Sequence, residues 1–220
     1  MSPLDLFSPA TLSDPTFFTG EAGASRLMQA ATHFPGGATG LIFVLFWAPV
    51  GPGIPAGVLL AQHLRIAPAL TFGLYLLSDL FAAALLNPVY AFLRAQGRRN
   101  PTVRNLGRRM LAVAMIGTRR PSADEVCAGR LAPALLRIAT VGFGVDIYTA
   151  GALVTGLPVP RLVGWSAAMV GDLVWFALLL GSSVAAAHLF NDERATAAVV
   201  LVVTFVGPSI LRRIFPALRG

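Results

Sequence analysis

Three of the ten acidic residues in this chain lie where water is scarce: Asp79 in "LLSDLFAAALL", Asp146 in "GFGVDIYTAG" and Asp172 in "MVGDLVWFALLL". An ionised Asp near the centre of a membrane helix costs about 2.5 to 3.5 kcal/mol even on lenient insertion scales, so it is seldom kept without a use. A carboxyl removed from water can exchange a proton near neutral pH, which is what proton-coupled transport requires. The structural alternative is a neutral Asp that hydrogen-bonds a neighbour such as Ser78, Tyr75 or Tyr148 and holds helices together. Arg137 is the basic residue nearest these acids in an apolar segment. It could pair with Asp146, receive a phosphate headgroup, or snorkel to the interface.

The rest of the chain explains why these positions count as membrane interior. Of 220 residues, 55% are hydrophobic and 12% charged, against roughly 25% charged in an ordinary soluble domain. That composition implies a polytopic, all-α membrane protein. All 17 basic residues are Arg, and the net charge is +7; in this context the excess marks a cytoplasmic face rather than a nucleic-acid partner. Cys127 stands alone, which excludes an internal disulfide. The start of the chain has no basic region followed by an apolar core, so no cleavable signal peptide is expected.

Apolar runs set the organisation. Residues 67–92 and 162–190 exceed the ~20 residues that span ~30 Å of hydrocarbon as a helix, and a C-terminal span over 195–216 just reaches it. Two other apolar stretches, 40–63 and 131–157, are interrupted at their centres by "GPGIP" and "GFGVDIY". Each reads as a re-entrant helical hairpin. Gly51, Pro52, Gly53 and Pro55 are expected to make the first turn at membrane depth, and Gly142 and Gly144 the second, because Gly tolerates positive φ and Pro has no amide to leave unpaired. Irregular backbone at that depth survives only when buried in protein or lining a cavity. The alternative is a single kinked spanning helix.

"IPAGVLLAQHLRIAPALTFGLYLLSDLFAAALL" can be laid over "YTAGALVTGLPVPRLVGWSAAMVGDLVWFALLL", pairing Ala56-Gly57 with Ala150-Gly151 and Asp79 with Asp172. The expected fold is therefore two inverted repeats, 37–93 and 131–190, each a hairpin plus a long transmembrane helix, with one further C-terminal helix. Between the repeats, residues 94–130 carry nine Arg against Asp124 and Glu125, and the tail adds Arg212, Arg213 and Arg219. Both regions are expected on the cytoplasmic side, and the Arg-poor residues 1–36 outside. Within the loop, Asn100-Pro101 reads as a helix start, and Val103, Leu106, Met110 and Val113 recur at helical spacing beside Arg104, Arg108 and Arg109, an amphipathic helix on an anionic membrane face. Ser122 and Glu125 have capping-box spacing.

A broken Gly/Pro-rich segment, a following helix, an Arg-rich middle and a second copy together resemble the DedA (VTT-domain) superfamily and the related small multidrug export families, over roughly residues 38–190. "GIPAGVLLAQHL" resembles the first re-entrant segment of the export-type families, and "GFGVDIYTAGALVTGLPVPR" the second. In DedA proteins the second hairpin carries two Arg, then Pro, then Ala-Gly; Arg137 matches the first Arg in distance to Ala150-Gly151, while Phe143 and Ile147 replace the second Arg and the Pro. No acid accompanies "GPGIPAG". The resemblance implies an inverted-repeat transporter in a bacterial inner membrane, coupled to protons and acting on a lipid-linked phosphate, a phospholipid or a small amphiphilic cation.

Other classes leave weaker traces. An aspartyl intramembrane protease would also use two intramembrane Asp residues, but "MVGDL" lacks the first Gly of Gly-x-Gly-Asp and "LSDLF" lacks a Tyr before its Asp. A non-catalytic subunit of a larger complex would share the composition and topology, and a homodimer is compatible with both readings. His33, His63 and His188 are isolated, and no Cys/His cluster or phosphate loop occurs. The expectation is a non-enzymatic protein without metal or cofactor, whose partners are membrane lipids and the transported compound.

Overall fold

The computed structural model describes residues 29, 31–47, 53–101, 105, 131–190 and 193–214. Expectations for the external segment 1–28, for Gly51 and Pro52, for the amphipathic helix of the Arg-rich loop and for the capping box at Ser122 lie outside the described residues, as do 215 and 216 of the last span. Every element among the described residues is helical: α1 (Gly37–Trp47), α2 (Gly53–His63), α3 (Pro68–Arg99), α4 (Leu131–Gly144), α5 (Ile147–Gly156), α6 (Arg161–Phe190) and α7 (Glu193–Ile214).

The first broken segment doubles back. The ring of Phe46 lies so close to Gly57 that a Cβ there would stand 2.5 Å from it, whereas eleven residues along one straight helix would separate them by roughly 16 Å. A kinked spanning helix is thereby ruled out for 37–63. α1 and α2 pack on one another, and α4 and α5 do the same. With 10 to 14 residues each, these helices reach about 15 to 21 Å, short of the ~30 Å of a bilayer core.

The turn residues differ from expectation. Gly53 is the first residue of α2 and Pro55 sits in its first turn, where a missing amide is harmless because those amides have no intrahelical acceptor. In the second hairpin Gly142 is not in the turn. It lies inside α4, Gly144 is the last helical residue, and the chain reverses at Val145–Asp146. The glycines failed as turn markers because Gly142 serves another purpose: a Cβ there would come within 2.4 Å of the Ala168 carbonyl oxygen, so the residue is needed for close helix approach. Between α2 and α3, Arg65 adopts φ 53°. The Ile66 amide bonds the Ala61 carbonyl at 2.8 Å, a helix end of the kind usually built on Gly.

α3 and α6 are long and apolar enough to cross a membrane. α3 runs past the expected 92 to Arg99, with Pro88 inside it. Both helices bury the polar side chains of their central turns and leave large apolar ones bare. Along α3, Thr71, Leu74, Tyr75, Ser78, Asp79 and Ala82 are buried, while Leu70, Leu77, Leu80, Phe81 and Leu85 are exposed. α6 buries Ala168, Asp172, Trp175, Phe176, Leu179 and Ser183 and exposes Leu162, Val170, Val174 and Leu178. Each buried set recurs at three and four residues, one face of a helix.

The chain divides into two compact units, with boundaries inside both long helices: residues 1–78 with 177–205, and residues 79–176 with 206–220. In the first, Phe46 meets Tyr75 edge-on at 5.3 Å, among buried Leu41, Ile42 and Val58. In the second, Phe143 meets Trp175 edge-on at 5.6 Å, among buried Ile138, Val141, Val154 and Phe176.

Candidate functional site

The second unit brings four of the sequence's candidate elements together. Asp79 lies on the buried stripe of α3 one turn after Tyr75, and Asp172 on that of α6 one turn after Ala168, and each is 3% exposed. Their carboxyls lie close enough to act on one another electrostatically. A carboxylate only accepts, so a hydrogen bond between two carboxyls would need a proton on one of them. The second oxygen of Asp79, Oδ2, is buried and has no hydrogen-bond partner among the described residues.

Close backbone contact sets this geometry. Gly142 and Ala139 of α4 face Ala168 and Gly171 of α6; a Cβ on Gly171 would stand 1.9 Å from the Ala139 carbonyl oxygen. Bulk at any of these positions would push α6 away, and Gly171 immediately precedes Asp172. The same economy of size operates at Gly151, where a Cβ would strike the Trp165 ring at 2.2 Å, and at Gly164 against Val154.

Tyr148, at the start of α5, links the pair to the hairpin. Asp79, Asp146, Asp172 and Tyr90 all act on it electrostatically, and its backbone carbonyl accepts a hydrogen bond from the Tyr90 hydroxyl at 2.9 Å. Tyr90 in turn stacks on Trp165 with ring planes 14° apart. Tyr148 therefore lies within electrostatic reach of both helix acids and of the hairpin-turn Asp146.

Asp146 has a structural task of its own. It is the N-cap of α5, with extended backbone and a carboxylate that accepts from the Thr149 amide. Arg137 stands half-buried in the middle of α4; the groups acting on Asp79, Tyr90 and Tyr148 do not include it. The Ser78 hydroxyl donates to the Tyr75 carbonyl at 2.7 Å. Among the described residues no group of His, Cys, Asp and Glu is arranged to hold a metal ion.

Sequence reasoning missed Tyr90 and Gly171. Tyr90 could have been found as a polar ring eleven positions beyond Asp79, three helical turns on the same face. Gly171 could have been found as one of the small residues that recur on the Asp172 face.

No family model, curated protein or solved structure matches the chain.

Proposed function

We propose that the chain is an inner-membrane transporter of DedA-like architecture, in which Asp79 and Asp172 form the proton-carrying pair that drives movement of an amphiphilic substrate. The observation that carries this reading is that two carboxyls on facing buried stripes, each 3% exposed, lie near enough to interact. Two carboxyls this close cannot both be ionised without strong repulsion, so gain or loss of a proton changes the force between α3 and α6. Tyr148 extends the change to the turn of the second hairpin. Mostly uncovered apolar faces on α3 and α6 support a membrane setting, because an apolar surface of that extent is costly in water. The two hairpins are taken as re-entrant, the repeats as inverted, the N-terminus as external and the Arg-rich loop as cytoplasmic.

The test is transport by the purified full chain in proteoliposomes, with a polyprenyl phosphate or a fluorescent phospholipid as substrate and an imposed pH gradient. Movement should depend on the gradient, and Asp79→Asn and Asp172→Asn should each abolish that dependence. Gradient-driven movement unchanged in both variants would refute the coupling role.

The same carboxyl pair favours one second reading, an aspartyl hydrolase acting within the membrane, since paired carboxyls that share a proton can activate water. It predicts cleavage of a single-span model substrate, lost in Asp79→Asn and blocked by a hydroxyethylene peptide. The transport reading predicts no cleavage.

A further inference from the structure

The C-terminal end of α3 and the start of α6 enclose a cleft of about 690 Å³ lined by Ala91, Phe92, Arg94, Ala95, Gln96, Arg98, Arg99 and Arg161. We infer that this cleft binds the phosphate headgroup of an anionic lipid-like amphiphile, with the tail lying on the exposed apolar face of the adjoining helices. The inference rests on the membrane setting of the transporter reading but not on proton coupling, and its residues are separate from the carboxyl pair.

Charge is the first argument. Four guanidinium groups line one cleft, and none of its described lining residues is acidic. Arg94 and Arg98 are four positions apart on α3, a spacing that puts like charges side by side at about 5 to 6 Å, which is unfavourable unless an anion lies between them. Guanidinium forks match phosphate oxygens two at a time. Arg94 is held in place by donating to the carbonyl of Thr155, near the end of α5, so part of the cleft is arranged before any ligand arrives.

Apolar exposure is the second argument, and it separates an amphiphile from a free anion. Phe92, within the cleft lining, is 61% exposed, and Leu162, next to Arg161, is 81% exposed. Val89 and Leu85 continue the bare surface along α3 away from the arginines. A head of negative charge followed by a hydrocarbon tail matches that order of residues. Arginines that merely anchored the chain to an anionic surface would not need to converge on a shared cleft.

Native mass spectrometry of the full chain in detergent tests the site, with dioleoyl phosphatidic acid and dioleoyl phosphatidylcholine as probes. Phosphatidic acid should be retained at least tenfold more than phosphatidylcholine. The Arg98→Gln/Arg161→Gln double variant should lose at least tenfold of that retention, whereas Arg212→Gln/Arg213→Gln, which removes equal charge from α7, should keep it. Unchanged thermal melting of the cleft variant excludes misfolding, and Arg98→Lys/Arg161→Lys, which keeps the charge, should restore part of the binding. Equal losses in the two Gln double variants would show diffuse surface charge and overturn the site, as would no loss in either. Calorimetric titration with inorganic phosphate and with dihexanoyl phosphatidic acid separates the sources of the phosphate: equal affinity would overturn the amphiphile assignment. Asp79→Asn should retain phosphatidic acid, so failure of the coupling reading and failure of this one are distinguishable.

Discussion

Adding one methyl group at Gly171 should be far more damaging than adding one at Gly181 on the same helix. At Gly171 the new Cβ would sit 1.9 Å from the Ala139 carbonyl oxygen, about 1.5 Å inside ordinary contact, and the obstacle is backbone that no rotamer change can move. At Gly181 nothing lies within 4 Å. Overpacking of this kind costs typically 1 to 3 kcal/mol, and a rigid obstacle argues for about 3. Ala itself favours a helix over Gly by up to about 1 kcal/mol, so Gly181→Ala should be neutral or slightly stabilising. For a chain of this length 1 kcal/mol corresponds to roughly 2 to 4 °C, which puts the two variants about 6 to 12 °C apart in Tm. Thermal unfolding of the purified protein in detergent, followed by tryptophan fluorescence, measures the difference. Moving α6 outward also withdraws Asp172 from Asp79, so Gly171→Ala should lose pH-gradient dependence along with stability. Melting of the two variants within about 2 °C of one another would show that α4 and α6 do not meet at Gly171 and Ala139.

Removing the cap in Asp146→Ala should cost about 1 kcal/mol in chemical unfolding, and Asp146→Ser should recover most of it; an Asp146→Ser variant that is stable but inactive would give the carboxyl a role beyond capping. Arg65→Gly should hold or raise the melting temperature, because the positive φ of Arg65 carries a penalty for any residue with a Cβ, and a clear drop would mean that the Arg side chain outweighs the strain. With Cys127 replaced by Ser, a cysteine at Glu21 should react with an impermeant maleimide in intact cells and one at Met115 should not. The reverse pattern would invert the proposed orientation.

Much of the fold was legible because membrane segments follow few rules. Length and apolar content mark α3 and α6, and the interruptions at residues 51–55 and 142–146 mark two hairpins. The second turn was misread because Gly has two uses, positive φ and close approach, which composition cannot separate: Gly142 serves the second, and the reversal falls to Val145 and Asp146, where an Asp can cap the next helix. The pairing of Asp79 with Asp172 was legible as matched positions in two similar segments. Tyr148 was legible as one of several possible neighbours of an Asp, but that both helix acids and Asp146 act on it was not, since that depends on how the elements of one unit pack. Arg94, Arg98 and Arg99 were read only as charge for topology. Their meeting with Arg161 joins residues more than sixty positions apart, which no local pattern encodes.

The central claim is that Asp79 and Asp172 hold their proton as one unit, and infrared difference spectroscopy of the carboxyl C=O stretch through a pH titration tests it most directly. A coupled pair titrates in steps that belong to both groups, so replacing either Asp by Asn should move the titration of the other as well as removing a band. The Asp79→Asn and Asp172→Asn curves should not sum to the wild-type curve. Strictly additive curves, with each remaining carboxyl titrating as it does in the intact protein, would contradict it.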